Sequence, residues 1–192
     1  MSSDPQTNNA QTLPDAILRA FAEPEPEAVF AALLPALCEV LNVDRCFLLL
    51  RNPDTRIHRV ICWRRDPNLP DTSTDGWQPE DEWEKDDPMF AAALATQPSI
   101  FIEDIETASP DRLNRDFERQ YLGHRALVHA HVCRNQQLWG ILQPAVFGHP
   151  RMWSKADRET IDRVVEMLIP IVVESVKAAA PQAINSSDVK KF

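Results

Sequence analysis

His124, His129, His131 and Cys133 fall within ten consecutive residues. His129 and His131 alternate with Val128, Ala130 and Val132, so on an extended strand the two imidazoles leave the same face. An H-x-H pair with His124 or Cys133 nearby is a pattern that can hold a transition metal. The spacing supplies no third ligand. The adopted reading is therefore no metal, with imidazoles that line a sheet face or pocket and hydrogen-bond locally. The four cysteines (Cys38, Cys46, Cys62, Cys133) are widely separated with no CxxC pair, which suggests neither a disulfide framework nor a zinc site. They read as small buried hydrophobes. A reactive thiolate needs an exposed, electropositive setting, and the acid-rich stretch 65–87 carries no cysteine. No nucleophile–base constellation is visible, so the chain is expected not to be an enzyme and to need no cofactor.

Composition narrows the classes further. A chain of 192 residues that is 44% hydrophobic can bury one good core. A net charge of −9 with scattered basic residues argues against nucleic acid as a partner and against an anionic membrane surface. No apolar run approaches the roughly 20 residues that span a bilayer, and the N-terminus is polar, so no membrane insertion and a cytoplasmic location are expected.

The elements that must position these residues follow from periodicity. Residues 1–11 and 179–192 read as disordered polar tails around a single domain at 12–178. Thr12 and Asp15 can cap a helix reaching Phe21, and Pro26 opens an amphipathic helix through Leu41 that Pro35 should bend. Asp44–Arg51 and Arg56–Arg64 make a hairpin across Asn52-Pro53-Asp54. Arg65–Asp87, with three prolines and the isolated Trp77 and Trp83, reads as a long ordered lid. Helices are predicted over Asp87–Gln97 and Pro110–Leu122, with a strand at Ser99–Ile105 between them. Two strands meet across Arg134–Gln137, with Pro144 expected at a bulge or strand end. Ser154, with Asp157 three residues on, should start a helix running to about Ala178. Hairpin-linked strands mixed with helices give an α+β fold with an antiparallel sheet.

At this level the residues resemble a known family. DDPMFAAALATQPSIFIEDIE, HRALVHAHV, LWGIL and the W-S-x-x-D helix start, in this order and spacing, resemble a GAF domain from about Pro24 to Val176. The resemblance is closest to the bilin-binding GAF domains of cyanobacterial photoreceptors and phytochromes, and it implies a cyanobacterial, phytochrome-like signalling protein. Their frame of strand, Leu-Trp-Gly and Pro-Arg-x-Trp is matched by Arg125-Ala126, Leu138-Trp139-Gly140 and Pro150-Arg151-Met152-Trp153. The family attaches bilin through a Cys-His pair, and that position falls at Asn114-Arg115 here. Its pyrrole-contacting His falls at Ala145. Covalent bilin binding is therefore expected to be lost.

The fold implied is a GAF-like central antiparallel sheet with helices on both faces and terminal helices in a bundle. The function expected is a non-catalytic regulatory or assembly module acting through a protein partner. The alternatives are a sensor of a small molecule, including non-covalent bilin, and a redox enzyme like the GAF-type methionine sulfoxide reductases. Pocket residues are expected between the sheet and the Asp87 and Pro110 helices: Trp63, Phe101, Asn114 and Phe117, with Tyr121, His129, His131 and Gln143. Trp77 or Trp83 should cover its mouth. The last helix is about 37 Å long at 1.5 Å per residue. Its apolar surface exceeds the roughly 100° of a single packing face, so a homodimer through Ile161, Val165, Leu168 and Val172 is expected. The intrachain alternative is that the first two helices cover the second face.

Overall fold

Asn135 and Gln136 both have positive φ, 52° and 59°, and between them strand β5 (Ala126–Arg134) turns back as β6 (Gln137–Val146). Two left-handed residues form the mirror-image turn that matches strand twist. The turn is made without the glycine that would have announced it in the sequence. The computed structural model describes residues 12–187, with side chains through residue 179; residues 1–11 and 188–192, both within the expected tails, lie outside the described residues.

Strand β1 (Arg45–Asn52) pairs antiparallel with β6 and with β2 (Ile57–Arg64). The edges are β3 (Gln78–Pro79) and β4 (Ile100–Ile102), giving one antiparallel sheet ordered β3-β2-β1-β6-β5-β4. Within the expected lid, β3 is an edge strand and a 3-10 turn follows at Trp83–Lys85.

On one face pack α1 (Asp15–Phe21), α2 (Pro26–Val40) and α5 (Lys155–Ser187). Ala126, Val128, Ala130 and Val132 point into that core, as their alternation predicts. The other face carries α3 (Pro88–Leu94), α4 (Arg115–Tyr121) and the 3-10 turn, over Phe47, Leu49, Val60 and Ile141. This is the α+β arrangement with helices on both faces.

The Leu-Trp-Gly stretch has a physical reason. Val132 pairs with Gly140 and Cys133 with Leu138, so Trp139 is an extra residue on β6. This bulge turns Trp139 to the helical face. A Cβ on Gly140 would lie 2.5 Å from the Leu49 carbonyl oxygen and 3.5 Å from Val172. Gly140→Ala is therefore expected to cost about 1–3 kcal/mol, read as a lowered denaturant midpoint with an unchanged slope.

Pro144 is neither at a bulge nor at a strand end. It faces Cys46 in the β1 ladder, and the β5 ladder skips the two positions opposite Pro144 and Gln143. Pairs on both sides of the gap keep one register, so a missing amide costs local bonds and leaves the strand intact.

Helix ends also differ from the periodicity. Pro14, not Thr12, precedes α1. Helix α3 stops at Leu94, and α4 starts at Arg115 instead of Pro110, because the Asn114 side chain accepts from the Phe117 amide (3.2 Å) and caps it there. Ser154 and Asp157 form the reciprocal cap of α5, Asp157 N to Ser154 Oγ (3.1 Å) and Ser154 N to Asp157 Oδ2 (2.9 Å). That helix continues through 179–187, within the stretch expected as tail. Ala178–Ala180 favour helix, and Pro181 removes one backbone bond without ending it.

The expected dimer residues are corrected by the same packing. Ile161, Leu168 and Val172 are fully buried and Val165 is 9% exposed, all inside the core formed with α1, α2 and the sheet. The second apolar side of α5 is covered within the chain, so these four side chains present no surface to a partner.

Candidate functional site

Odd-numbered positions of β1 face α3 and α4, which sends the charged Arg45 inward with Phe47 and Leu49. Arg45 is fully buried. Its Nη1 donates to the Pro70 carbonyl (3.0 Å) and its Nη2 lies 3.3 Å from His124 Nδ1. Arginine only donates, so His124 accepts at Nδ1 and donates from Nε2 to Glu118 Oε2 at 2.5 Å. Glu118 and His124 are as deeply buried as Arg45. The result is a cation and a carboxylate bridged by an imidazole beneath α4.

A second imidazole relay lies on β5. His131 Nδ1 is 2.7 Å from the Gln97 carbonyl and must donate to it. Its Nε2 then accepts from His129 Nδ1 at 2.9 Å, leaving His129 Nε2 as a lone pair. Burial, aided by His131 and His124, holds His129 well below the ordinary histidine range. It is a neutral acceptor.

His129 and Gln143 line a cavity of about 150 Å³ with Phe47, Phe90, Trp83 and Asp87. Asp87 caps α3 through the Met89 amide (2.8 Å). Burial first, and Glu118 second, push its carboxyl up to about 7. Gln143 is 1% exposed and its Nε2 has no partner; Arg45 Nε and Glu118 Oε1 are likewise unpaired. Buried polar atoms are nearly always satisfied, so this concentration on one side of the sheet is unlike a structural core.

Outside lies a wider cleft of about 830 Å³ between the lid and α4. It shares Trp83, Phe117 and Tyr121 with the inner cavity, and its rim holds Asp81, Glu82, Asp86 and Asp116 against Lys85. The lid is pinned at several points. Asn114 Nδ2 donates to the Asp86 carbonyl (2.8 Å), and the buried Glu80 carboxylate takes Arg51 (2.5 Å) and Arg56 (2.9 Å).

The expected pocket set divides. Phe117, Tyr121, His129 and Gln143 line the inner cavity, Asn114 lines the outer cleft, and His131 stands behind His129. Trp63 and Phe101 fall on the opposite face, against the helical core, Phe101 edge-on to Trp153 at 6.4 Å. Their strand parity sends them there: Trp63 pairs with Cys46, which also faces α2 and α5. The tryptophans of the lid divide as well. Trp83 covers the cavity, edge-on to His58 (4.5 Å) and Phe90 (5.3 Å), whereas Trp77 packs on the helical side. Ala145 is enclosed by Met89, Ile105, Leu113 and Leu127. Among the described residues, no group of three or more His, Cys, Asp or Glu side chains is placed to hold a metal. None of the cysteines lines either space.

Sequence reasoning missed Arg45, Glu118, His124 as part of the site, and Asp87 as a cavity acid. The one local signal was a charged residue, Arg45, directly before the apolar run 46–50.

With this geometry in hand, the chain can be set beside known proteins. No curated protein sequence matches it. The chromophore-binding domain of the bacteriophytochrome RpBphP3 from R. palustris superposes with a TM-score of 0.63 at 17% identity, over 86% of this chain and 61% of that one. The phycocyanobilin-bound GAF domain of a cyanobacterial phytochrome gives 0.64 at 18%, over 87% and 95%. The GAF domain of an Acinetobacter phosphoenolpyruvate-protein phosphotransferase gives 0.64 at 9%, over 93% and 99%. At such identities the likeness is one of fold. The family model for the GAF domain matches residues 25–169, most of the chain, and the chain belongs to the GAF domain family.

Proposed function

We propose that this chain is a non-catalytic, cytoplasmic regulatory GAF module in which a small molecule held beneath the lid controls association with a protein partner or a second copy of the chain. The observation that carries this reading is the pair of unpaired buried polar atoms that line the inner cavity, Gln143 Nε2 and Thr72 Oγ1. A core kept only for stability would be better served by apolar side chains there, whereas a ligand that completes these bonds gives the polar residues a purpose. Lid contacts support the link to an output. Arg45 holds Pro70 and Asn114 holds Asp86, so residues touching or flanking the cavity also set the lid.

In this reading covalent bilin attachment has been lost, although several structural relatives bind bilins. Asn114 serves as a helix cap and lid latch, and no thiol lines the cavity. A cavity of about 150 Å³ also falls below the roughly 300 Å³ at which ligand pockets usually begin. Co-expression with bilin-synthesis enzymes is expected to give protein with no zinc-fluorescent band after denaturing electrophoresis. A fluorescent band at the mass of the chain would overturn this part of the reading.

A further inference from the structure

Resting on the reading of the inner cavity as a ligand site, we propose that its ligand is a planar, single-ring amino-heterocycle without negative charge, its amidine-like donor edge on Asp87 and its carbonyl on Gln143. Size sets the first limit. A cavity near 150 Å³ is of the order that accepts one six-membered ring. Phe47, Phe90 and Trp83 supply flat apolar walls, which suit a ring faced by aromatic side chains.

The polar groups set the edge pattern. Asp87 offers a carboxylate, and His129 offers the Nε2 lone pair fixed by its relay through His131 to the Gln97 carbonyl. Both are acceptors, so the ligand must bring N–H groups to them. Gln143, 1% exposed, offers an unpartnered Nε2 donor and calls for a carbonyl or bare ring nitrogen. A 2-amino-pyrimidinone ring carries this combination, with adjacent N–H and NH2 groups that can engage a carboxylate in two parallel bonds.

Electrostatics excludes the anionic alternatives. Asp87 lines the cavity with Glu118 near enough to oppose its ionisation, and among the described residues no Lys or Arg side chain lines it. The outer cleft adds Asp81, Glu82, Asp86 and Asp116 against Lys85. A phosphate or carboxylate approaching by this cleft meets like charge. A neutral or cationic amidine edge instead favours ionised Asp87, the form that burial and Glu118 oppose in the free protein.

Isothermal titration of the full chain with isocytosine tests the inference, with toluene and guanosine monophosphate as comparison probes. Isocytosine should bind, with Asp87→Asn weakening it at least tenfold and Gln143→Leu several-fold. Asn retains the α3 cap, so loss of binding in that variant does not report unfolding, and circular dichroism checks this. Guanosine monophosphate, which carries the same edge on a larger anionic frame, should not bind. Equal binding of toluene, indifference to Asp87→Asn, or no isocytosine binding would each overturn the ligand class while leaving a regulatory cavity for another small molecule standing. Tight guanosine monophosphate binding would overturn the charge argument. A covalent tetrapyrrole would instead refute the reading on which the inference rests.

Discussion

Replacing Arg45 by Met lowers the stability of the fold by about 3–5 kcal/mol, the range expected when one partner of a buried charge pair is removed. The side chain is fully buried and offers Nη1 to Pro70 and Nη2 to His124, which passes the interaction on to Glu118. Its guanidinium also lies 5.0 Å from the centre of the Phe147 ring. Met fills similar volume, so the loss is chiefly the stranded Glu118 carboxylate and the freed Pro70 carbonyl. The Arg45→Met, Glu118→Gln double variant is therefore expected to be about 1–3 kcal/mol less destabilised than the sum of its single changes. Urea denaturation of the four proteins measures this; strict additivity would mean that the two charges do not sense one another through His124.

The second large effect depends on pH. Asp87 has its carboxyl raised from 3.8 to about 7 by burial and by Glu118. The folded state then binds more protons than the unfolded chain between these values, so stability falls as pH rises from about 4 through about 7 and levels off above. Asp87→Asn removes that slope and keeps the bond from the Met89 amide. The variant is expected to exceed the parent by a few kcal/mol at pH 8, with the gap closing toward pH 4. Burial lowers His58, His129 and His131, so these take stability away as pH drops below 6.5. Both proteins share that acid loss, and the difference between their curves isolates Asp87. Parallel curves between pH 5 and 8 would contradict the assignment.

The sequence showed some of these features and hid others for identifiable reasons. The alternation from Ala126 to Val132 set the two faces of β5, and therefore placed His129 toward the cavity. β1 is buried along its whole length, so it has no polar–apolar contrast to reveal which side chains face which layer. Trp63, paired with Cys46 of β1, turns with it to the helical core and away from the expected pocket, and Phe101, paired with Val128 of β5, does the same. The Arg45–His124–Glu118 bridge joins residues up to 79 apart and leaves no local pattern. The apolar excess of α5 was real, but α1 and α2 bury it within the chain. The lid was readable from its prolines and acids. Its anchoring by the buried Glu80 on Arg51 and Arg56 was not, because an acid in a loop looks the same whether solvated or paired.

The central claim is that the cavity under the lid takes a small ligand reversibly and carries no covalent pigment. Native mass spectrometry of the protein purified from its own host, before and after denaturation, tests it most directly. The expected result is the 21.8 kDa chain with an added mass of single-ring size that disappears on unfolding. A tetrapyrrole mass that persists through denaturation would contradict it.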